Sequence, residues 1–163
     1  MDDARELTDR ARRMLAATQY LTLATADHDG RPWASTLWYA AWQPTSPDDG
    51  LDLVLLWLSR HEAQHSRNVL ARPEAAISVF DSSQPAGTGE GLQLDVTAGL
   101  VPSPEIDDPV AVLSEASVAA GGNPWDRGKV EGPDAVLHLY AARVRSAYLL
   151  GRGTRVRLPL VSG

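Results

Sequence analysis

Near the N-terminus the spacing of apolar positions switches from helical to alternating. Leu7, Ala11, Met14 and Leu15 fall on one stripe with Arg10, Arg12 and Arg13 off it, which predicts an amphipathic helix over residues 3–17. Tyr20 to Ala26 then alternates and is rich in strand formers. Asp27-His-Asp-Gly30 has turn chemistry, its glycine tolerating positive φ. Arg31 to Trp42 alternates again. Trp33, Ser35, Leu37 and Tyr39 take one face, and Ala34, Thr36, Trp38 and Ala40 the other. Together these segments predict a hairpin.

Beyond a loop rich in proline and aspartate (Gln43 to Gly50), the run from Leu51 to Ser59 is almost unbroken in apolar residues. Such a run predicts a strand buried on both faces, as in the wall of a small barrel. Residues 60–71 read as a helix ended by Arg72-Pro73. Glu74 to Asp81 and Leu92 to Val101 read as strands, joined by the glycine-rich loop Pro85 to Gly91. A helix is expected over 105–120, with Ile106, Val110 and Leu113 inward, and is broken by Gly121-Gly-Asn-Pro124. Val136 to Tyr140 and Arg143 to Leu150 close the series as two more strands. Six or seven strands with short helices between them, in one domain over 1–163, favour a mainly β barrel with helical decorations.

Composition narrows the function. A hydrophobic fraction of 44% and a charged fraction of 22% are ordinary for a globular domain. No apolar run approaches the roughly 18 residues of a membrane helix. The acidic start, Met1-Asp2-Asp3-Ala4-Arg5-Glu6, shows no secretory signal. The chain has no cysteine, which excludes disulfides and thiolate chemistry and makes the cytoplasm the simpler expectation. A net charge of −6 argues against nucleic-acid binding. Fourteen of the fifteen basic residues are arginine, and Arg143, Arg145, Arg152, Arg155 and Arg157 crowd the end of the chain, three of them in a tail over 151–163. Arginine forks suit phosphates and carboxylates, and a solvated last strand and tail explains them equally well.

The segment Ser59-Arg-His-Glu-Ala-Gln-His-Ser-Arg-Asn68 carries the most chemistry. Ser59 and Glu62 have capping-box spacing, which places a helix start right after the buried strand. The free N–H groups of a helix start form a phosphate seat, with Arg60, Gln64, His65 and Ser66 as added donors. An ordinary capped surface helix has the same pattern. His61 and His65 would share one helix face, but no third ligand of known spacing accompanies them, and no metal is expected. Gly87-Thr-Gly89-Glu-Gly91 lacks the Walker lysine, and no G-x-S-x-G elbow occurs. The paired carboxylates Asp48/Asp49 and Asp107/Asp108 sit in polar loop or helix-start contexts. Trp33, Trp38, Trp57, Trp125 and Tyr148 suit stacking on a planar ligand or, taken singly, a core or interface.

In order and spacing these segments resemble the pyridoxamine 5'-phosphate oxidase-like FMN-binding split barrels. The matching pieces are Leu23 to Pro32, Leu55 to Ser59, His65 to Pro73, Ala76 to Val79, Gly91 to Val101 and Tyr148-Leu149. The resemblance implies a dimeric split β-barrel of six or seven strands with helices (β+α), and a cofactor in a cleft at the homodimer interface. It places Ser35, Thr36, Leu37 and Trp38 along the isoalloxazine edge, with Trp57 and Leu58 flanking the ring. Ser59, Arg60, Gln64, His65 and Ser66 would approach the ribityl phosphate. Gln93, Trp125 and Tyr148, with Glu90, would come from the opposing subunit.

Three departures stand out, the first being that the strand's usual small-residue pattern, with glycine before the last turn of pairing, reads Asp95-Val96-Thr97-Ala98 here. His65 and Gln64 occupy the places of a phosphate-binding lysine and an arginine, and Arg155-Val-Arg157 replaces the Arg-x-His pair that grips the vitamin substrate. The resemblance therefore implies an FMN-dependent oxidoreductase acting on another small molecule, not pyridoxamine phosphate. A deazaflavin-dependent reductase is the alternative, with Arg60, Arg67 and the terminal arginines meeting an acidic cofactor tail. A non-catalytic flavin- or haem-binding protein and a purely structural dimer complete the range. No catalytic residue is assigned.

Overall fold

The amphipathic stripe at the N-terminus becomes α1 (Ala4–Ala17), which buries Leu7, Ala11 and Leu15 against the strands that follow. The chain continues as β1 (Tyr20–Ala26), β2 (Pro32–Trp38), β3 (Ala40–Trp42), β4 (Val54–Ser59) and α2 (Gln64–Ala71). Next come β5 (Glu74–Phe80), β6 (Glu90–Leu100), α3 (Asp107–Ala119) and α4 (Arg127–Glu131), then β7 (His138–Gly151) and β8 (Thr154–Arg157). This computed structural model describes residues 3–45, 50–151 and 153–161. Asp48, Asp49 and Arg152 lie outside the described residues. Among the described residues no helix is long and apolar enough to cross a membrane.

The strands form one curled antiparallel sheet in the order β2-β1-β5-β6-β7-β4-β3. The expected split barrel of mainly β character is present. Its two outermost strands, β2 and β3, are successive pieces of one run. The single strand expected over 31–42 breaks at Tyr39, where the chain leaves β1 as its partner and joins β4. Tyr39 is buried there, its amide donating to the Gln19 carbonyl and its phenol to the Leu15 carbonyl at 3.1 Å. The sheet therefore curls round without a ladder across the gap.

β4 carries the wall. Leu55 and Trp57 point into the barrel with Leu23, Ile77, Leu94 and Tyr140. Val54, Leu56 and Leu58 point outward, beneath a second apolar cluster built from Ile106, Val110 and Leu113. The two-sided burial read from the sequence is what the alternation delivers, although regular pairing starts only at Val54. Leu51 instead bridges Leu160 near the chain end.

Other boundaries shift for local reasons. The two expected terminal strands are one, β7, kept continuous because β6 pairs along it on both sides of an irregularity at Asp95/Val96. On its other edge β4 pairs with its first part and β8 with its last. The arginine-rich tail thus contributes a strand. The helix expected over 105–120 is a 3-10 turn (Ser103–Glu105) followed by α3, with Ile106 buried between them. α4, unforeseen in the 121–129 loop, starts where Asp126 accepts the Lys129 amide at 3.1 Å. The hairpin turn before β2 forms as expected. Asp27 Oδ1 accepts the amides of Asp29 and Arg31, and Gly30 adopts φ +84.

The Trp57 indole is fully buried, and its Nε1 has no hydrogen-bond partner. Trp57→Ala should therefore destabilise the fold by about 3–5 kcal/mol through the cavity it leaves. Trp57→Phe should cost less than about 2 kcal/mol, because it also removes a buried donor that lacks an acceptor. Urea denaturation of the two variants checks the ordering.

Candidate functional site

The helix start expected at Ser59 lies instead at Gln64, and no side chain caps it. Ser59 stays in β4, where its hydroxyl is taken by α2. His65 Nε2 lies 2.7 Å from Ser59 Oγ, and Ser66 Oγ donates to the same oxygen at 3.1 Å. A capping box needs that hydroxyl to face the first helical amides, so the box does not form and Glu62 stays exposed. The other ring nitrogen, His65 Nδ1, lies 3.1 Å from Ser35 Oγ on β2. His65 thus pins β2 to β4, two strands that share no ladder. Burial pushes its pKa below the usual histidine value, so the ring is neutral at pH 7.

Beside this cluster a second polar chain crosses from helix to hairpin. Arg67 donates to Gln64 Oε1 at 2.7 Å, Gln64 to Asn68 Oδ1 at 2.8 Å, and Asn68 to Thr25 Oγ1 at 2.9 Å. Thr25 in turn reaches the Trp33 carbonyl at 3.4 Å. Gln64, expected as a phosphate donor, thus has both ends of its amide engaged within the protein. Arg60 is exposed on the turn before α2.

His61 lies on that same turn and not on the helix, so it shares no helix face with His65. Its Nδ1 lies 2.9 Å from the Tyr140 phenol, and its ring stacks on His138 with centroids 3.6 Å apart. Tyr140 is fully buried and stacks on Trp57 at 6.0 Å. Sequence reasoning missed Tyr140 and His138 as parts of this constellation. They stand far along the chain on β7, and only the β4–β7 register, which places His138 opposite Ser59 and Tyr140 opposite Trp57, brings them in.

The remaining expected residues separate by face. Thr36 points to the opposite side of β2 from Ser35. The cross-strand register carries it through Thr22, Ser78, Gln93 and Tyr148 to Arg157 as one row on the outer face. The Arg155 guanidinium sits 3.8 Å over the Tyr148 ring. A cleft of about 700 Å³ opens on this face, lined by Phe80, Gln93, Leu150 and Arg155. Leu37 packs against the barrel core, and Trp38, Leu58 and Trp125 pack against the cluster under α3. The Trp57 indole is fully buried inside the barrel, because odd positions of β4 point inward. Glu90 forms an ion pair with Arg10 of α1.

With this geometry in view, comparison with known proteins places the chain. Residues 7–148 match the profile of the family described as pyridoxamine 5'-phosphate oxidase. The chain belongs to the pyridoxamine 5'-phosphate oxidase family. Solved structures share its fold at low identity. A haem-binding protein from Mycobacterium smegmatis is 20% identical with a TM-score of 0.68, covering 98% of this chain and 59% of its own. A provisionally named pyridoxamine 5'-phosphate oxidase from Listeria innocua is 16% identical with a TM-score of 0.62, covering 91% and 100%. An F420 reductase is 24% identical with a TM-score of 0.56, covering 83% and 94%. No curated protein matches. This oxidase-family barrel therefore has structural neighbours of differing ligand chemistry, and its own residues must decide among them.

The depressed His65 pKa makes a prediction about stability. The unfolded chain takes up a proton on His65 at a higher pH than the folded one does. Stability should therefore be full above about pH 6.5, the unperturbed histidine value, and fall as pH drops below it. His65→Gln should flatten that part of the curve in urea titrations between pH 8 and pH 5.

Proposed function

We propose that the chain is one protomer of a homodimeric, FMN-dependent oxidoreductase acting on a small molecule other than pyridoxamine phosphate. The observation that carries this reading is the division of the family's cofactor positions between two surfaces. Ser35, Ser59 and His65 gather under α2, whereas Thr36, Gln93 and Tyr148 line the outer face of the sheet. One flat ligand reaches both sets if a second copy lays its outer face beside the first copy's α2. Tyr20 and Phe80, each more than half exposed, project from the same outer face and supply apolar area for such a contact.

The donors present fit a single phosphate modestly. The Ser35 hydroxyl, the exposed Arg60 guanidinium and the unpaired amides of the first α2 turn are available. His65 is neutral and adds no charge. When bound, the flavin supplies hydride or electron chemistry, and the chain's part is to orient it and exclude water. Arg155-Val-Arg157 in place of the family's Arg-x-His directs the substrate away from pyridoxamine phosphate.

The haem alternative is disfavoured by the same cluster. Both nitrogens of His65 are hydrogen-bonded to serines, so His65 offers no free lone pair to iron. A deazaflavin is the second reading, favoured by Arg155 and Arg157 standing beside Tyr148 where an acidic tail would need cations.

Two measurements test the proposal. Titration with FMN should quench its fluorescence at micromolar protein, and Arg60→Ala should weaken binding about tenfold, roughly 1.4 kcal/mol. Equal affinity for the variant would remove Arg60 from the site, and a response to a deazaflavin alone would promote the second reading. Sedimentation should show a species of twice the 17.5 kDa chain mass; a monomer would remove the shared cleft.

A further inference from the structure

His65 is held between two serines at unequal distances. Its Nε2 lies 2.7 Å from Ser59 Oγ on β4, and its Nδ1 lies 3.1 Å from Ser35 Oγ on β2. A neutral imidazole carries one ring proton, so one nitrogen donates and the other accepts. The two distances decide which. Hydroxyl donors approach their acceptors more closely than N–H donors do. The short contact therefore has the Ser59 O–H donating to Nε2, and the long one has Nδ1–H donating to Ser35. Ser66, which has no exposed surface, donates in turn to Ser59 at 3.1 Å. The reverse arrangement needs the Ser59 proton to go to the Arg60 carbonyl at 3.4 Å, beyond the ordinary reach of a hydroxyl bond.

The three bonds then run one way, from Ser66 to Ser59 to His65 to Ser35. The Ser35 oxygen accepts the His65 N–H, and among the described residues no acceptor takes the Ser35 proton. Ser35 is half-buried, so that proton is left for whatever lies against β2. We propose that His65 and Ser59 are positioning residues that make the Ser35 hydroxyl a one-way donor. This end of the barrel then selects a ligand that presents a hydrogen-bond acceptor to Ser35: a carbonyl oxygen, an unprotonated ring nitrogen or an anionic oxygen. The inference deepens the proposed function and rests on its reading of Ser35 as a ligand-facing group. Each donor in the series polarises the next, and Ser66 and Ser59 are buried where water does not weaken the effect. The last hydroxyl is therefore a stronger donor than a lone serine. The edge of an oxidised isoalloxazine, with its carbonyl oxygens and unprotonated nitrogens, meets this demand.

Nitrogen-15 spectra of the cofactor-free protein at about pH 8, above the ordinary histidine pKa, read the tautomer directly. His65 should carry its proton on Nδ1, and a proton on Nε2 overturns the inference. Ser59→Ala removes the donor to Nε2 and should move the ring proton there, with Ser35 turning inward to donate to Nδ1. Ser59→Thr keeps the hydroxyl and should keep the Nδ1–H form. A tautomer indifferent to Ser59→Ala also overturns the inference. Binding supplies a second readout. Ser35→Ala should weaken FMN about tenfold, the worth of one good hydrogen bond. Ser59→Ala should weaken it similarly in the unaltered protein and no further once residue 35 is alanine, because Ser59 acts through Ser35. Additive losses would show Ser59 meeting the ligand itself and overturn its positioning role. The two readings fail separately. An Nδ1–H tautomer without FMN binding sinks the cofactor assignment and leaves Ser35 as a donor for another acceptor, while FMN binding with an Nε2–H tautomer sinks the inference alone.

Discussion

The break at Tyr39 is the constraint on which the rest of the architecture depends. A single alternating run changes partner there, so β2 and β3 end at opposite margins of a sheet that curls until they almost meet. Backbone hydrogen bonds do not close the gap between β2 and β4, and side chains take over that task. The Tyr39 phenol holds the end of α1, and His65 holds β2 and β4 through its two ring nitrogens. A half-buried imidazole with both nitrogens bonded is neutral and oriented, which makes it both a structural staple and a fixed element of the site.

β7 makes the complementary contribution. Because it is long enough to take β4 on its first part and β8 on its last, one strand borders both the barrel interior and the outer row. Tyr140 comes from its first part and Tyr148 from its last. Tyr140, beside the cluster at Ser59, and Tyr148, in the outer row, therefore hang from the same strand but face different surroundings, as do the two sets of residues that the family resemblance assigned to one cofactor. Within one protomer they cannot converge, and this geometry is the physical basis for proposing that function belongs to a pair of chains.

The substitution of histidine and glutamine into a phosphate-binding stretch also takes on a structural meaning. Gln64 extends the polar chain through Asn68 to Thr25, and His65 joins the serine cluster. Charge that a lysine and an arginine would bring is replaced by neutral hydrogen-bonding groups that point into the protein. The site exchanges electrostatic grip for a connected set of proton donors and acceptors, and burial makes such a set costly to leave incomplete.

The sequence alone determined what periodicity can encode. Helix α1, the first hairpin, the doubly buried wall of β4 and the split-barrel class were legible because side chains three or four apart, or two apart, meet wherever the chain goes. The resemblance also drew attention to Ser59, His65 and Ser35. Tertiary structure decided everything that depends on register between distant strands: the switch at Tyr39, the placing of His138 and Tyr140 beside His61, and the outer row from Thr36 to Arg157. It also overruled the capping box, because the helix starts only at Gln64 and the Ser59 hydroxyl, still on β4, is engaged by His65 and Ser66. A local pattern states which bonds a residue is able to make. Packing chooses among them, since a buried hydroxyl has one proton to donate and gives it to the acceptor that the fold brings nearest.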